Sequence, residues 1–248
     1  MGDLALLRCV RAEKMKIRHS MVWLFFLIVP VLPAIMGTGN YMMNREVLRS
    51  EWYSLWTQHT LFYSNFFYGP LIGIYCSYLW RLEHLNYNWN HCMTAPVPVE
   101  CVFLSKLIQV FKMTLLTQLW TWLLYFLCGK YAGLPGMPPA TMLFWLFRGA
   151  CGGMAAAALQ LVLSMKIRSF SLPVGIGLAG SVAGLLLSNG GLGLFWPYSL
   201  MMLGMNSSKY DDVLSSRLFQ FAVACVVFVS LFSYTGIRML DRQDVRAA

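Results

Sequence analysis

A chain of 248 residues that is 58% hydrophobic and only 12% charged, with a mean hydropathy of +0.58, cannot cover a soluble surface; a soluble globule carries roughly a quarter charged residues. Apolar runs of about 18 residues or more recur, the pattern of a polytopic helical membrane protein, and the short alternating segments of a membrane β-barrel are absent. The net charge of +9 is therefore read first as topology marking and headgroup contact, and no basic run with interleaved aromatics points to nucleic acid.

Residues 1–20 carry Arg8, Arg11, Lys14, Lys16 and Arg18 interleaved with Leu4, Leu7, Val10 and Ile17. That composition suits either a helix lying in the cytoplasmic interface or a plain basic flank. A first span is expected over about 21–41, kinked by Pro30 and Pro33. The long basic lead-in without an A-x-A site reads as a retained signal-anchor rather than a cleaved signal peptide. Residues 44–59 are polar and aromatic, with Glu51, Trp52, Tyr53 and Trp56, and suit the interface on the far side. A second span is expected over about 60–80, containing Pro70.

Residues 81–106, RLEHLNYNWNHCMTAPVPVECVFLSK, form the one long polar, Pro-interrupted segment between two apolar ones. A short helix ended by X-Pro, with a new helix restarting over 100–106, is what its local chemistry predicts. Further spans follow over about 104–127, 140–165, 171–187 and 218–237, with a turn-rich loop at 129–139. Residues 188–217 form a long irregular stretch around Phe195-Trp196-Pro197-Tyr198. Six spans put both termini on one side, and a Lys/Arg bias of about two to one makes that side the cytoplasm. The expected organisation is one transmembrane domain, 1–248. Within it, 1–20 is a cytoplasmic interfacial segment, 81–103 a cytoplasmic loop and 188–217 an extracellular or re-entrant segment.

Signs of catalysis are sparse. There is no HExxH, no GxSxG and no GxxxxGK[ST], so any nucleotide is hydrolysed elsewhere. Glu83, His84, His91 and Cys92 match no zinc spacing, and the seven cysteines show no CxxC and no disulfide framework. No acidic residue falls inside a predicted span, which disfavours a proton- or sodium-driven carrier. Arg148 is the clear intramembrane charge, read either as attracting an anionic part of a ligand or as snorkelling to outer headgroups. Small residues at four-residue steps (Gly149, Gly153, Ala157; Gly180, Gly184) permit close helix approach, within the protomer or across a dimer.

The polar segment carries a resemblance. Glu83-His84, Asn88-Trp89-Asn90, Thr94, Pro96-Val97 and Ser105-Lys106 resemble the E(H)…W(K/N)…T.PV…sK signature of ABC-2 type permeases. Asn90 stands where a basic residue is common. More narrowly, the chain is similar to the immunity permeases of lantibiotic producers over about residues 14–245. Supporting pieces are Arg18-His19-Ser20, Glu51-Trp52-Tyr53, the run from Ala158 to Phe170, Gly175-Ile176-Gly177, residues 195–200, and the tail with Asp241-Arg242.

The resemblance implies an all-α permease of the ABC-2 (type V exporter-like) fold in a bacterial cytoplasmic membrane. It implies no cofactor on this chain, with ATP and Mg held by a partner. Two copies of a cytosolic ABC ATPase would dock on a coupling helix carrying Glu83, His84, Asn88, Trp89, Asn90, Thr94, Pro96 and Val97. A second permease subunit, or a self-dimer, would complete the membrane part. The substrate implied is a cationic, amphiphilic antimicrobial peptide expelled for self-immunity. Trp52, Tyr53, Trp56, Arg148, Phe195, Trp196 and Tyr198 are candidates to contact it. Export of another amphiphile (a lipid or drug), and a membrane peptide-binding or sensor subunit that moves nothing, are the alternatives.

Overall fold

The computed structural model describes residues 2–85 and 97–242. All regular structure among them is helical: α1 (Gly2–Ile17), α2 (Val22–Ile28), α3 (Val31–Met43), α4 (Glu51–Phe62), a π turn (Tyr63–Phe67), α5 (Tyr68–His84), α6 (Val99–Tyr131), α7 (Thr141–Lys166), α8 (Ser171–Asn189), a 3-10 turn (Gly193–Phe195), α9 (Pro197–Gly204) and α10 (Leu218–Arg242). Four stretches are long and apolar enough to cross a membrane: Val22–Met43, Thr141–Lys166, Ser171–Asn189 and Leu218–Arg242.

The prolines explain the breaks. The first span divides at Pro30, which leaves α2 and α3 joined through residues 29–30. Pro33 causes no second break, because it lies in the first turn of α3, where a missing N–H goes unnoticed. Of the stretch 44–59, expected at the interface, residues 51–59 instead belong to α4, a helix continuous with α5 through the π turn. Pro70 follows that turn by three residues; it has no N–H for the carbonyl one turn back, and the widened turn carries the chain past its ring. Pro197 opens α9 from an extended Trp196, the usual place for a proline at a helix start.

Helix α7 is the hub, packing on α5, α6, α9 and α10. In its most apolar window 72% of residues are buried, against 28% in α8 and 17% in α10, so α8 and α10 lie at the periphery. The stretch 188–217, expected to be irregular, contains α9, which is almost wholly buried and inserts beside α7 and α8. Two glycines admit it. A Cβ on Gly152 would sit 2.3 Å from the Leu200 carbonyl oxygen, and one on Gly204 would sit 2.5 Å from that of Arg148. The small-residue stripes are likewise occupied within this chain, Gly153 by Tyr68 and Gly180 by Tyr198.

Contacts define two ends. At the base, α1, the end of α5, the start of α6 and the end of α7 meet. At the opposite end, the start of α4, the loop 132–140, the start of α7 and the loop 205–217 meet.

Because backbone atoms leave Gly152 no room, Gly152→Val should lower thermal stability in detergent by about 1–3 kcal/mol. Gly39, with open space around its Cβ position, supplies the control: Gly39→Ala should leave the unfolding temperature unchanged or slightly raised. Equal effects at both positions would count against the packing of α9 on α7.

Candidate functional site

The base of the bundle is organised by buried charge. Glu13 and Ile17, one helical turn apart on α1, and Lys16 between them bring one face of that helix onto the bundle. Lys106, in the third turn of α6, is 0% exposed, and Glu83, near the end of α5, is 3% exposed. The Lys106 ammonium donates to Glu83 Oε1 at 2.7 Å, to Glu13 Oε1 at 3.0 Å and to the Leu79 carbonyl at 3.3 Å. It also lies 4.9 Å from the centre of the Trp80 ring. Lys16 donates to Glu13 at 2.7 Å and also to Glu83. Two carboxylates and two ammonium groups thus form a neutral quartet drawn from three helices.

Burial pushes the Glu83 carboxyl up, but Lys106 and Lys16 more than offset this and hold it below the usual carboxylate range. Burial likewise lowers the Lys16 ammonium, and Glu13 and Glu83 raise it to a net value above normal. Glu83 therefore faces inward, its carboxylate enclosed between α1 and α6. His84 is half-buried with Nε2 3.3 Å from the Ser164 carbonyl, which ties α5 to α7. Val97 is half-buried just before α6. Asn88, Trp89, Asn90, Thr94 and Pro96 lie outside the described residues.

At the opposite end Arg148, 4% exposed, neither faces open space nor reaches outward. Its guanidinium grips Asp212 with two bonds of 2.9 Å, and its Nε donates to the Gly204 carbonyl at 3.2 Å. Asp212 also accepts from Trp145 Nε1 at 3.1 Å and from the Leu214 N–H at 3.0 Å. Burial raises the Asp212 carboxyl, and these donors, Arg148 foremost, pull it below its ordinary value.

Above this pair lies an open cleft of about 670 Å³ lined by Tyr53, Phe144, Trp145, Tyr210, Asp211 and Asp212. Tyr53 and Arg148 belong to this end as expected candidates, one on the wall and the other beneath it. Trp52 and Trp56 are core residues. Trp52 Nε1 donates to the Pro135 carbonyl at 2.8 Å, and Trp56 Nε1 to that of Met205 at 3.1 Å. Trp196 and Tyr198 pack at Gly180, and Phe195 is 77% exposed; none of the three lines the cleft.

Sequence reasoning missed Glu13, Lys16 and Lys106 as one cluster with Glu83, and it missed Asp212 as the partner of Arg148. The available signals were an acid, Glu13, set among the basic residues of α1 and an acidic pair, Asp211-Asp212, in a loop facing a helix that carries a buried arginine. Among the described residues no group of three or more His, Cys, Asp or Glu could hold a metal ion, and six cysteines are free thiols.

Four apolar spans in an all-helical chain, with buried ion pairs closing both ends, define a multi-pass membrane protein. The sequence profile of the ABC-2 family transporter proteins matches residues 9–184, well over half of the chain, so the chain belongs to that family of transport permeases. No curated protein matches it.

Lys106→Met should cost about 3–5 kcal/mol, because it strands buried carboxylates. The double variant Lys106→Met/Glu83→Gln should recover part of the loss in a thermal-unfolding cycle. Additive losses would refute direct pairing. The depressed carboxyls of Glu83 and Asp212 contribute their stability fully above the unfolded carboxylate range of about 4 and lose it as pH falls through their lower folded values. The unfolding temperature should therefore hold between about pH 7 and 5 and fall below about pH 4. In Asp212→Asn that acid-side fall should shrink while stability at neutral pH drops, since Arg148 is left without its counter-charge.

Proposed function

We propose that the chain is the membrane subunit of an ABC exporter that removes a lantibiotic-like, cationic amphiphilic peptide from the membrane for self-immunity. Energy comes from two copies of a separate ABC ATPase, and a second permease subunit or a second copy of this chain completes the pathway. Both termini face the cytoplasm and the chain crosses the membrane six times, with α4–α5 and α6 supplying the spans beyond the four most apolar ones. The charge bias of the loops supports that orientation.

The observation that carries the coupling role is the quartet of Glu13, Lys16, Glu83 and Lys106. It fastens the end of α5 and the start of α6, on either side of residues 85–98, to α1, so a force applied at those residues reaches all three helices through charge pairs. ABC-2 permeases typically work with an ABC ATPase, and the chain's lack of a phosphate-binding loop fits a driven subunit. The peptide substrate is supported by the order of the sequence pieces that resemble lantibiotic immunity permeases.

The test uses the ATPase partner co-expressed with the tagged permease. Trp89→Ala and Pro96→Ala should reduce ATPase recovery and ATP-dependent protection against the peptide, while the membrane yield of the permease stays constant. Full recovery and full protection in both variants would remove the coupling assignment. Protection that persists with a hydrolysis-dead ATPase would replace export by simple peptide binding.

A further inference from the structure

The cleft above Arg148 has a chemistry of its own. Its walls are mainly aromatic, Tyr53 from α4, Phe144 and Trp145 from α7, and Tyr210 from the loop after α9, with Ser50 and Thr141 beside them. They are held in place. Trp145 Nε1 is bonded to Asp212, Tyr53 meets Trp145 edge-on with ring centres 6.1 Å apart, and the Tyr210 hydroxyl lies 3.5 Å from Ser54 Oγ. The backbone beside these residues is also constrained. Glu51, Asn206 and Ser208 are the non-glycine residues with positive φ among the described residues, at 43°, 50° and 58°, and they flank Tyr53 and Tyr210 in sequence. Such conformations persist only where the surroundings enforce them.

The charges are unequal. Asp212 is neutralised by Arg148, whereas Asp211 is exposed and, among the described residues, has no cation within salt-bridge distance. The rim therefore keeps one uncompensated carboxylate among aromatic faces. Aromatic faces attract a cation through the ring quadrupole, most strongly one with a weakly hydrated apolar coat. A small inorganic cation would want a shell of strong oxygen ligands, and among the described residues no group of three or more His, Cys, Asp or Glu gathers here to supply one. An anion would be repelled by the Asp211 carboxylate.

From Phe144 the exposed apolar surface continues along α7 to Phe147, one turn further. A ligand head held at Asp211 thus has an apolar strip on which to lay a chain. We propose that this cleft binds the ammonium head of a cationic amphiphile, with Asp211 as counter-charge, Tyr53, Trp145 and Tyr210 as walls, and the apolar chain on Phe144 and Phe147. The assignment rests on the permease reading only in treating the occupant as cargo; binding itself needs no partner subunit.

The experiment is a calorimetric titration of hexyltrimethylammonium into the purified full chain in neutral detergent, without ATPase. Saturable binding is expected, weakened about tenfold or more in Asp211→Asn and in Tyr210→Ala, with hexyl glucoside failing to compete. The thermal unfolding of both variants is checked to match that of the parent, since neither residue belongs to the Arg148 pair. Equal affinity in the parent and both variants, or equal competition by hexyl glucoside, would overturn the proposal in favour of apolar partition alone. ATPase co-purification is read in a different preparation, so loss of the coupling assignment and loss of this one are separate results.

Discussion

The Lys106 ammonium is the constraint around which the base of the molecule is built. An ammonium taken wholly out of water is costly by several kcal/mol unless its donors are met and its charge is offset. The acceptors that meet it come from α1 and α5, while the lysine itself belongs to α6. Helix α1 packs along α6 and buries Ile17 in the core, but Leu4, Leu7 and Met15 remain exposed, and an isolated helix of its length is marginal in water. Its attachment thus joins apolar packing to a charge that would otherwise be stranded.

The opposite end applies the same rule with different geometry. A guanidinium presents a planar fork, and Asp212 fits it with two parallel bonds. Because Arg148 also reaches the Gly204 carbonyl, the pair fixes the end of α9 as well as the loop beyond it. Between the two ends the bundle relies on close approach at glycine rather than on charge, which is why α9 can lie so deep beside α7. The polar side chains of α6 face inward too: Tyr75 and Thr117 share a hydrogen bond of 2.8 Å between α5 and α6.

How much of this was legible in the sequence depends on the kind of signal. Long apolar runs gave the helices over 22–43, 141–166, 171–189 and 218–242 directly, since length and hydropathy are local properties. The third expected span, over about 104–127, lies within α6, which is not among the four most apolar stretches. Gln109, Thr114, Thr117, Gln118 and Thr121 dilute its hydropathy, yet in the structure they are buried, so α6 keeps its polarity inside. Lys106 read as part of the Ser105-Lys106 piece of the resemblance and not as a buried charge, because sequence does not reveal what faces a residue from another helix. For the same reason Arg148 read as a ligand group or a snorkelling side chain, its true partner lying 64 positions away. Residues 197–204 were too short and too rich in Gly, Met and Ser to announce a helix. Their burial is a property of the Gly152 and Gly204 contacts, not of their own pattern.

The π turn at Tyr63–Phe67 gives the long rod from Glu51 to His84 a fulcrum. A widened turn is softer in bending than the α-helix on either side, so the rod behaves as two stiff levers rather than one beam. The pivot is also where a distant strand of chain is tied on. The Thr60 carbonyl accepts from the hydroxyls of both Ser64 and Ser207, and the Ser208 N–H donates to the Thr60 hydroxyl. Tilting the lower lever about this point would tug first on residues 207–208, and through them on the loop that carries Tyr210 and Asp212.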